Sequence, residues 1–102
     1  MLKVFSLIKR RDDLSLEEFR SWVFEEHAPM GRELPGLQEY HVSVVEEDDP
    51  ALPYHAVTEL HFDDEEAFKA AFASEAGQAA GADVAAHAAD RVRLLTRSER
   101  II

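Results

Sequence analysis

The sequence predicts an α+β fold of ferredoxin-like topology, βαββαβ, in which a four-stranded antiparallel sheet carries its helices on one face. Three observations lead there. Four short runs rich in apolar and β-branched residues read as strands, at Leu2–Ile8, Leu37–Glu47, Tyr54–Phe62 and Val92–Thr96. Helical periodicity fills the intervals after the first and after the third of them, and this strand–helix–strand–strand–helix–strand order is the split βαβ arrangement. The chain of 102 residues shows no linker or internal repeat, so one domain over residues 1–102 is expected, and at this size it buries only roughly 60% of its unfolded surface.

Strand one is too short for a helix and nearly apolar on both faces, which suits a central position. The first helix starts at Ser15, whose side chain can accept from the N–H of Glu18 while the Glu18 carboxylate reaches back, a capping box. Leu16, Phe19, Val23, Met30 and Leu34 fall on one stripe of that helix, and His27 lies in the middle of it. Pro29 offers no N–H to the carbonyl of Glu25 and disfavours helical geometry at Ala28, so the regular helix should kink or end near His27. Leu34-Pro35-Gly36 is a stop signal. The prolines at 50 and 53 sit in the loop between strands two and three, which form a hairpin with an extended connection. Asp63 is expected to cap the next helix, with Phe68 and Phe72 as its buried face. The alanine-rich stretch Glu75–Asp90 reads as helix; Gly77 and Gly81 weaken it but leave a small-residue face that another backbone or a ligand can approach. Strand four is surrounded by Arg91, Arg93, Arg97 and Arg100.

Helices on one face leave the other bare. Phe5, Leu7, Val42, Val44, Val57 and Leu60 cannot all lie under helices, so a homodimer through the sheet face is expected. The net charge of −10, from 21 acidic and 11 basic residues, argues against nucleic acid or an anionic membrane as partner. No apolar run approaches the length of a membrane span and none resembles a secretory leader, so a cytoplasmic protein is expected. The absence of cysteine excludes disulfides, thiolate metal sites and a thiol nucleophile.

A histidine in the middle of an apolar helix stripe is either a core group satisfied by a backbone carbonyl or a residue facing a cavity. His27 sits at a backbone irregularity between packed neighbours, which suits a positioned acid or base. Glu59 and His61 share a face of strand three with His55 and Val57, and Tyr40 and His41 on strand two should lie near them. Glu59, His61 and Tyr40 converging near His27 would form an acid–base pocket, with Tyr40 donating to a developing oxyanion and Phe5, Leu7, Trp22 and Val23 as apolar walls. The alternative is that Glu59 and His61 pair with arginines at a dimer interface. No His-Glu-x-x-His, no His-x-His and no helical i, i+4 histidine pair is present, so no metal site is expected. His87, with Asp83 and Asp90, reads as a surface ion pair. Glycine-rich phosphate loops and nucleophile elbows are absent.

The segments Leu14-Ser15-x-x-Glu18-Phe19-x-x-Trp22, His27-Ala28-Pro29-Met30, Leu34-Pro35-Gly36-Leu37 and Ala56-Val57-Thr58-Glu59-Leu60-x-Phe62-Asp63 together resemble the EthD family of dimeric α+β barrel proteins. The resemblance implies a homodimer whose sheets pack into a barrel, a small cavity between sheet and helices in each subunit, and no organic cofactor. It also implies that His27 stands where related small-molecule enzymes carry a substrate-facing acid or base. His61 departs from the pattern, where an aromatic residue is expected. The combined expectation is cofactor-free acid–base chemistry by His27 on a hydrophobic carbonyl-, lactone- or phenol-type metabolite. The alternative is a non-catalytic ligand-binding or accessory protein of a degradation pathway.

Overall fold

The computed structural model describes residues Met1–Ile102. Strand β1 (Leu2–Arg10) obeys strict alternation: Leu2, Val4, Ser6, Ile8 and Arg10 are buried, while Lys3, Phe5, Leu7 and Lys9 are half-buried on the other face. Helix α1 (Leu16–Ser21) begins with the expected capping box between Ser15 and Glu18. It widens into a π-helical turn (Trp22–His27) and closes as α2 (Ala28–Gly31). The backbone irregularity at Pro29 is therefore an expansion rather than a stop. Pro29 cannot donate to Glu25, and the N–H of Ala28 reaches five residues back to the carbonyl of Val23.

Strand β2 (Glu39–Val44) and β3 (Ala56–Phe62) form the hairpin, each shorter than its apolar run. Helix α3 (Glu65–Ala73) is capped by Asp64, one residue later than expected, because the Asp64 side chain is the one that accepts from the N–H of Ala67. Ser74 ends α3 and caps α4 (Glu75–His87). Ala88–Asp90, expected as helix, instead opens β4 (Ala88–Thr96), since pairing with the end of β1 outweighs alanine's helix preference. The sheet order is β2-β3-β1-β4, all antiparallel, which puts β1 in the centre.

The register sorts every strand residue onto one of two faces. Val42 and Val44, Ala56 and Leu60, Val4 and Ile8 face the helices and pack with Phe19, Val23, Phe62 and Phe68 in two apolar clusters. Phe5, Leu7 and Val57 fall on the opposite face with Val92 and Leu94. Only half of the apolar set expected to overflow the helices does so. Phe68 and Phe72 pack on Phe62 as expected, with ring centroids 6.0 and 6.5 Å away. No helix is long and apolar enough to cross a membrane.

Candidate functional site

The π-helical turn brings together two side chains that a regular helix would separate. Residues five apart on an α-helix point about 140° away from each other, yet the rings of Trp22 and His27 lie 5.2 Å apart. Both reach one carboxylate across the helix layer. Nδ1 of His27 is 2.9 Å from Oδ2 of Asp83 on α4, and the Trp22 indole N–H donates to the same oxygen at 3.1 Å. Nδ1 of His87 stands 3.1 Å from the other oxygen, Oδ1, and its ring stacks on Trp22. A carboxylate accepts only, so His27 presents its Nδ1–H to Asp83 and turns Nε2 away from it. The Nε2 atom has no protein partner and is not sealed in, because the buried side-chain nitrogens and oxygens left without one are Arg10 Nε and Arg93 Nε.

His27 lines a cavity of about 30 Å³ between the helices and the sheet, together with Tyr40, Ser6, Thr58 and Arg93 among polar groups and Ile8, Leu34, Leu60 and Phe72 among apolar ones. Its floor is one row of the sheet: Thr58 pairs with Ser6, and Ser6 with Arg93. Ser6 and Thr58 are buried, so this row sets polar side chains where a packed core would carry aliphatic ones. Tyr40 lies against Gly31; a Cβ there would stand 2.7 Å from the tyrosine hydroxyl, so glycine leaves the ring its place. Burial pushes the Tyr40 hydroxyl up to about 12, which keeps it a neutral donor.

Several expected site residues lie elsewhere. Glu59 and His61 do not converge on His27. Val57, Glu59 and His61 alternate with Thr58 and Leu60, and it is Thr58 and Leu60 that face the helices, so the two ionisable groups project from the far side of the sheet. There Nε2 of His61 is 2.5 Å from Glu59 and its Nδ1 is 3.5 Å from Glu39. His41, opposite Glu59 as expected, pairs with Glu39 at 2.7 Å. That bond holds the Glu39 carboxyl below the usual glutamate range, with the charge of His61 adding to it. Phe5 and Leu7 belong to this far face too and cannot wall the cavity. Val23 is solid core and Trp22 supports His27 from behind. Of the proposed lining set, Tyr40 alone joins His27 in the cavity. His55 is a satisfied core histidine: its Nδ1 accepts from the N–H of Arg10 and its Nε2 donates to the carbonyl of Asp49.

Asp83, Ser6, Thr58, Arg91 and Arg93 were not anticipated as site residues. The ion pair of Asp83 with His87 is present, but Asp83 is turned inward, with its side chain 13% exposed. The signal for Ser6 was available, since alternation from Val4 to Ile8 puts a lone hydroxyl on the buried face of the central strand.

The sequence profile of the EthD domain matches residues 11–91. No curated protein matches the chain. Among solved structures, an ethyl tert-butyl ether D (EthD) family protein from Bacillus halodurans is similar at 24% identity and a TM-score of 0.83, over 97% of this chain and 99% of that one. A dimeric ferredoxin-like protein of unknown function from Thermobifida fusca is 20% identical over 93% of this chain and 88% of its own, with a TM-score of 0.75. SnoaB, a cofactor-independent oxygenase from Streptomyces nogalater, is 17% identical over 99% and 95%, with a TM-score of 0.73. At these identities the structures establish a shared fold. The profile match spans most of the chain, from the loop before α1, through the His27 turn and the hairpin, into β4, and by it this protein belongs to the EthD family.

Proposed function

We propose that the protein is a homodimeric enzyme of small-molecule metabolism in which His27 exchanges a proton with an oxygenated metabolite of carbonyl, lactone or phenol type. The observation that carries this is the 2.9 Å contact between His27 Nδ1 and Asp83, which orients the ring and leaves Nε2 toward a cavity that also holds Tyr40. Asp83 acts as positioning residue, and the neutral Tyr40 hydroxyl is placed to donate to an oxygen that gains negative charge as the proton leaves carbon. The cofactor-independent oxygenase SnoaB shares the fold and lends this reading analogy only. The dimer, through the sheet face that bears Phe5, Leu7, Val57 and Leu94, is supported by the dimeric relative from Thermobifida fusca and by the area of apolar side chain that this face exposes. The acidic composition suits a cytoplasmic setting.

Incubation in D₂O with a panel of enolisable ketones, lactones and phenols, read by loss of C–H signals in proton NMR, tests the chemistry. Exchange that His27→Ala slows by ~10²–10⁴-fold is expected. Equal rates for the two proteins would overturn the assignment. The small cavity favours a second reading, a binding module without turnover, and ligand binding unaccompanied by exchange would select it.

A further inference from the structure

Arg93 is the one charged side chain on the polar row under the helices, and nothing in the protein neutralises it. Its guanidinium lies over the aromatic pair of α3, with Cζ 4.3 Å from the ring centroid of Phe72 and 5.6 Å from that of Phe68. Its Nε is buried without a hydrogen-bond partner. Arg91, two residues along the same face of β4, also lines the cavity, and neither arginine takes part in an ion pair. No carboxylate belongs to the cavity lining; Asp83, behind His27, is taken up by His27, Trp22 and His87. Burial and the neighbouring charge of Arg91 both weigh on Arg93, lowering its affinity for a proton.

An arginine held on an aromatic platform, half-buried and beside a second cation, has no anion of its own, and its terminal nitrogens, unbonded and not enclosed as Nε is, are the ones an arriving anion can meet. A protein of net charge −10 has abundant carboxylates to supply a partner and places none there. We infer that Arg91 and Arg93 form an anion subsite that takes the carboxylate of an organic acid, the guanidinium forks meeting its two oxygens and the rest of the ligand extending past Phe72 toward the mouth at Gly81. A cavity of about 30 Å³ admits roughly two water-sized groups, which fits the two oxygens of a carboxylate and excludes an aromatic ring. Planar two-point hydrogen bonding is what arginine offers and lysine does not. This inference rests on the proposed site and names its substrate class: an organic acid whose carboxylate is anchored at the arginines, in the cavity that His27 and Tyr40 also line.

Benzoate and its neutral isostere benzamide are the probes, with binding followed through the side-chain Nε–H resonance of Arg93 in ¹H–¹⁵N spectra of the intact protein. Benzoate should bind at least about tenfold more tightly than benzamide and shift that resonance. Arg93→Gln and the more exposed Arg91→Gln should each weaken benzoate by about tenfold or more and leave benzamide unchanged, while Arg97→Gln, outside the lining, should do nothing. His27→Ala should keep benzoate binding, so a failure of the proton-transfer chemistry leaves this result standing. Arg93→Lys, which keeps the charge but not the fork, guards against a folding defect in the glutamine variant and should recover only part of the affinity. Equal binding of benzoate and benzamide, no binding of either, or benzoate binding indifferent to both arginines would overturn the inference. Loss of benzoate with His27→Ala alone would overturn it too, by assigning the anion to the histidine.

Discussion

Each face of the sheet carries a histidine beside carboxylates, and the two clusters are arranged to opposite ends. On the helix face His27 meets one carboxylate with one nitrogen, at 2.9 Å, keeps the other without a protein partner, and lines the cavity. On the far face His61 stands between Glu59 and Glu39, so both ring nitrogens face carboxylate oxygens. The first arrangement orients the ring through one nitrogen and leaves the other without a protein partner; the second sets a carboxylate near each nitrogen, hydrogen-bonded at Nε2 and 3.5 Å away at Nδ1. Burial does not separate them, since both histidines are 7% exposed. What separates them is that His27 lines a cavity and His61 lines none: on the helix face the polar row of Ser6 and Thr58 lies beneath a widened helical turn and leaves that space.

The sharpest way to break this contrast is to remove each histidine in turn. His27→Ala should lower proton exchange by ~10²–10⁴-fold, whereas His61→Ala should leave the rate per active site within about threefold of the parent. A larger loss with His61→Ala would mean that the far face contributes to the chemistry. The next effect concerns stability. Phe68, packed on Phe62 under the helices, should cost about 3–5 kcal/mol when cut to alanine, independent of protein concentration. Leu94, 47% exposed on the far face, should change chain stability by less than about 0.5 kcal/mol as alanine, while Leu94→Glu should shift light-scattering mass from dimer to monomer. Denaturant unfolding at two concentrations tells the two faces apart.

A smaller effect sits in α4. Gly81 lines the cavity and a Cβ there meets nothing within 4 Å, so Gly81→Ala should raise stability by about 1 kcal/mol while weakening ligand binding at the mouth. Gly77, one turn earlier, is different: a Cβ would collide with the carbonyl of Ala71 and the backbone of Phe72, and Gly77→Ala should destabilise. The smallest effect is a pair of opposite pH slopes. Tyr40 is raised from 10.0 to about 12 by burial, so its contribution is fully present below about 10 and lost as pH climbs toward about 12. Glu39 is depressed by the bond from His41, so its contribution holds above the ordinary glutamate range and fades as pH falls through its lowered value. Unfolding midpoints of Tyr40→Phe should lose the alkaline slope and those of Glu39→Gln the acidic one.

Local chemistry makes much of the architecture legible in the sequence. The Ser15–Glu18 box, the Leu16, Phe19, Val23 and His27 part of the stripe and the Phe68–Phe72 pair depend on neighbours within a few residues, and each occupies the place its sequence pattern assigns; Met30, expected on that stripe, instead borders an open groove with Glu33, and Leu34 lies past the helix end at Gly31. The two glycines of α4 offer room for a backbone or a ligand, and Gly77 receives the backbone of α3 while Gly81 borders the cavity. Long-range placement was not legible in the same way. Period-two alternation groups Glu59 with His61 and Ser6 with Val4, but nothing in the strand itself says which group meets the helices; that depends on how the hairpin seats against β1, and a choice of face moves every side chain of the strand together. The union of His27 with Asp83, 56 residues away, and the Arg93 guanidinium lying on Phe72 arise from helix and sheet packing, because only the folded chain decides which polar groups are left to share one buried space.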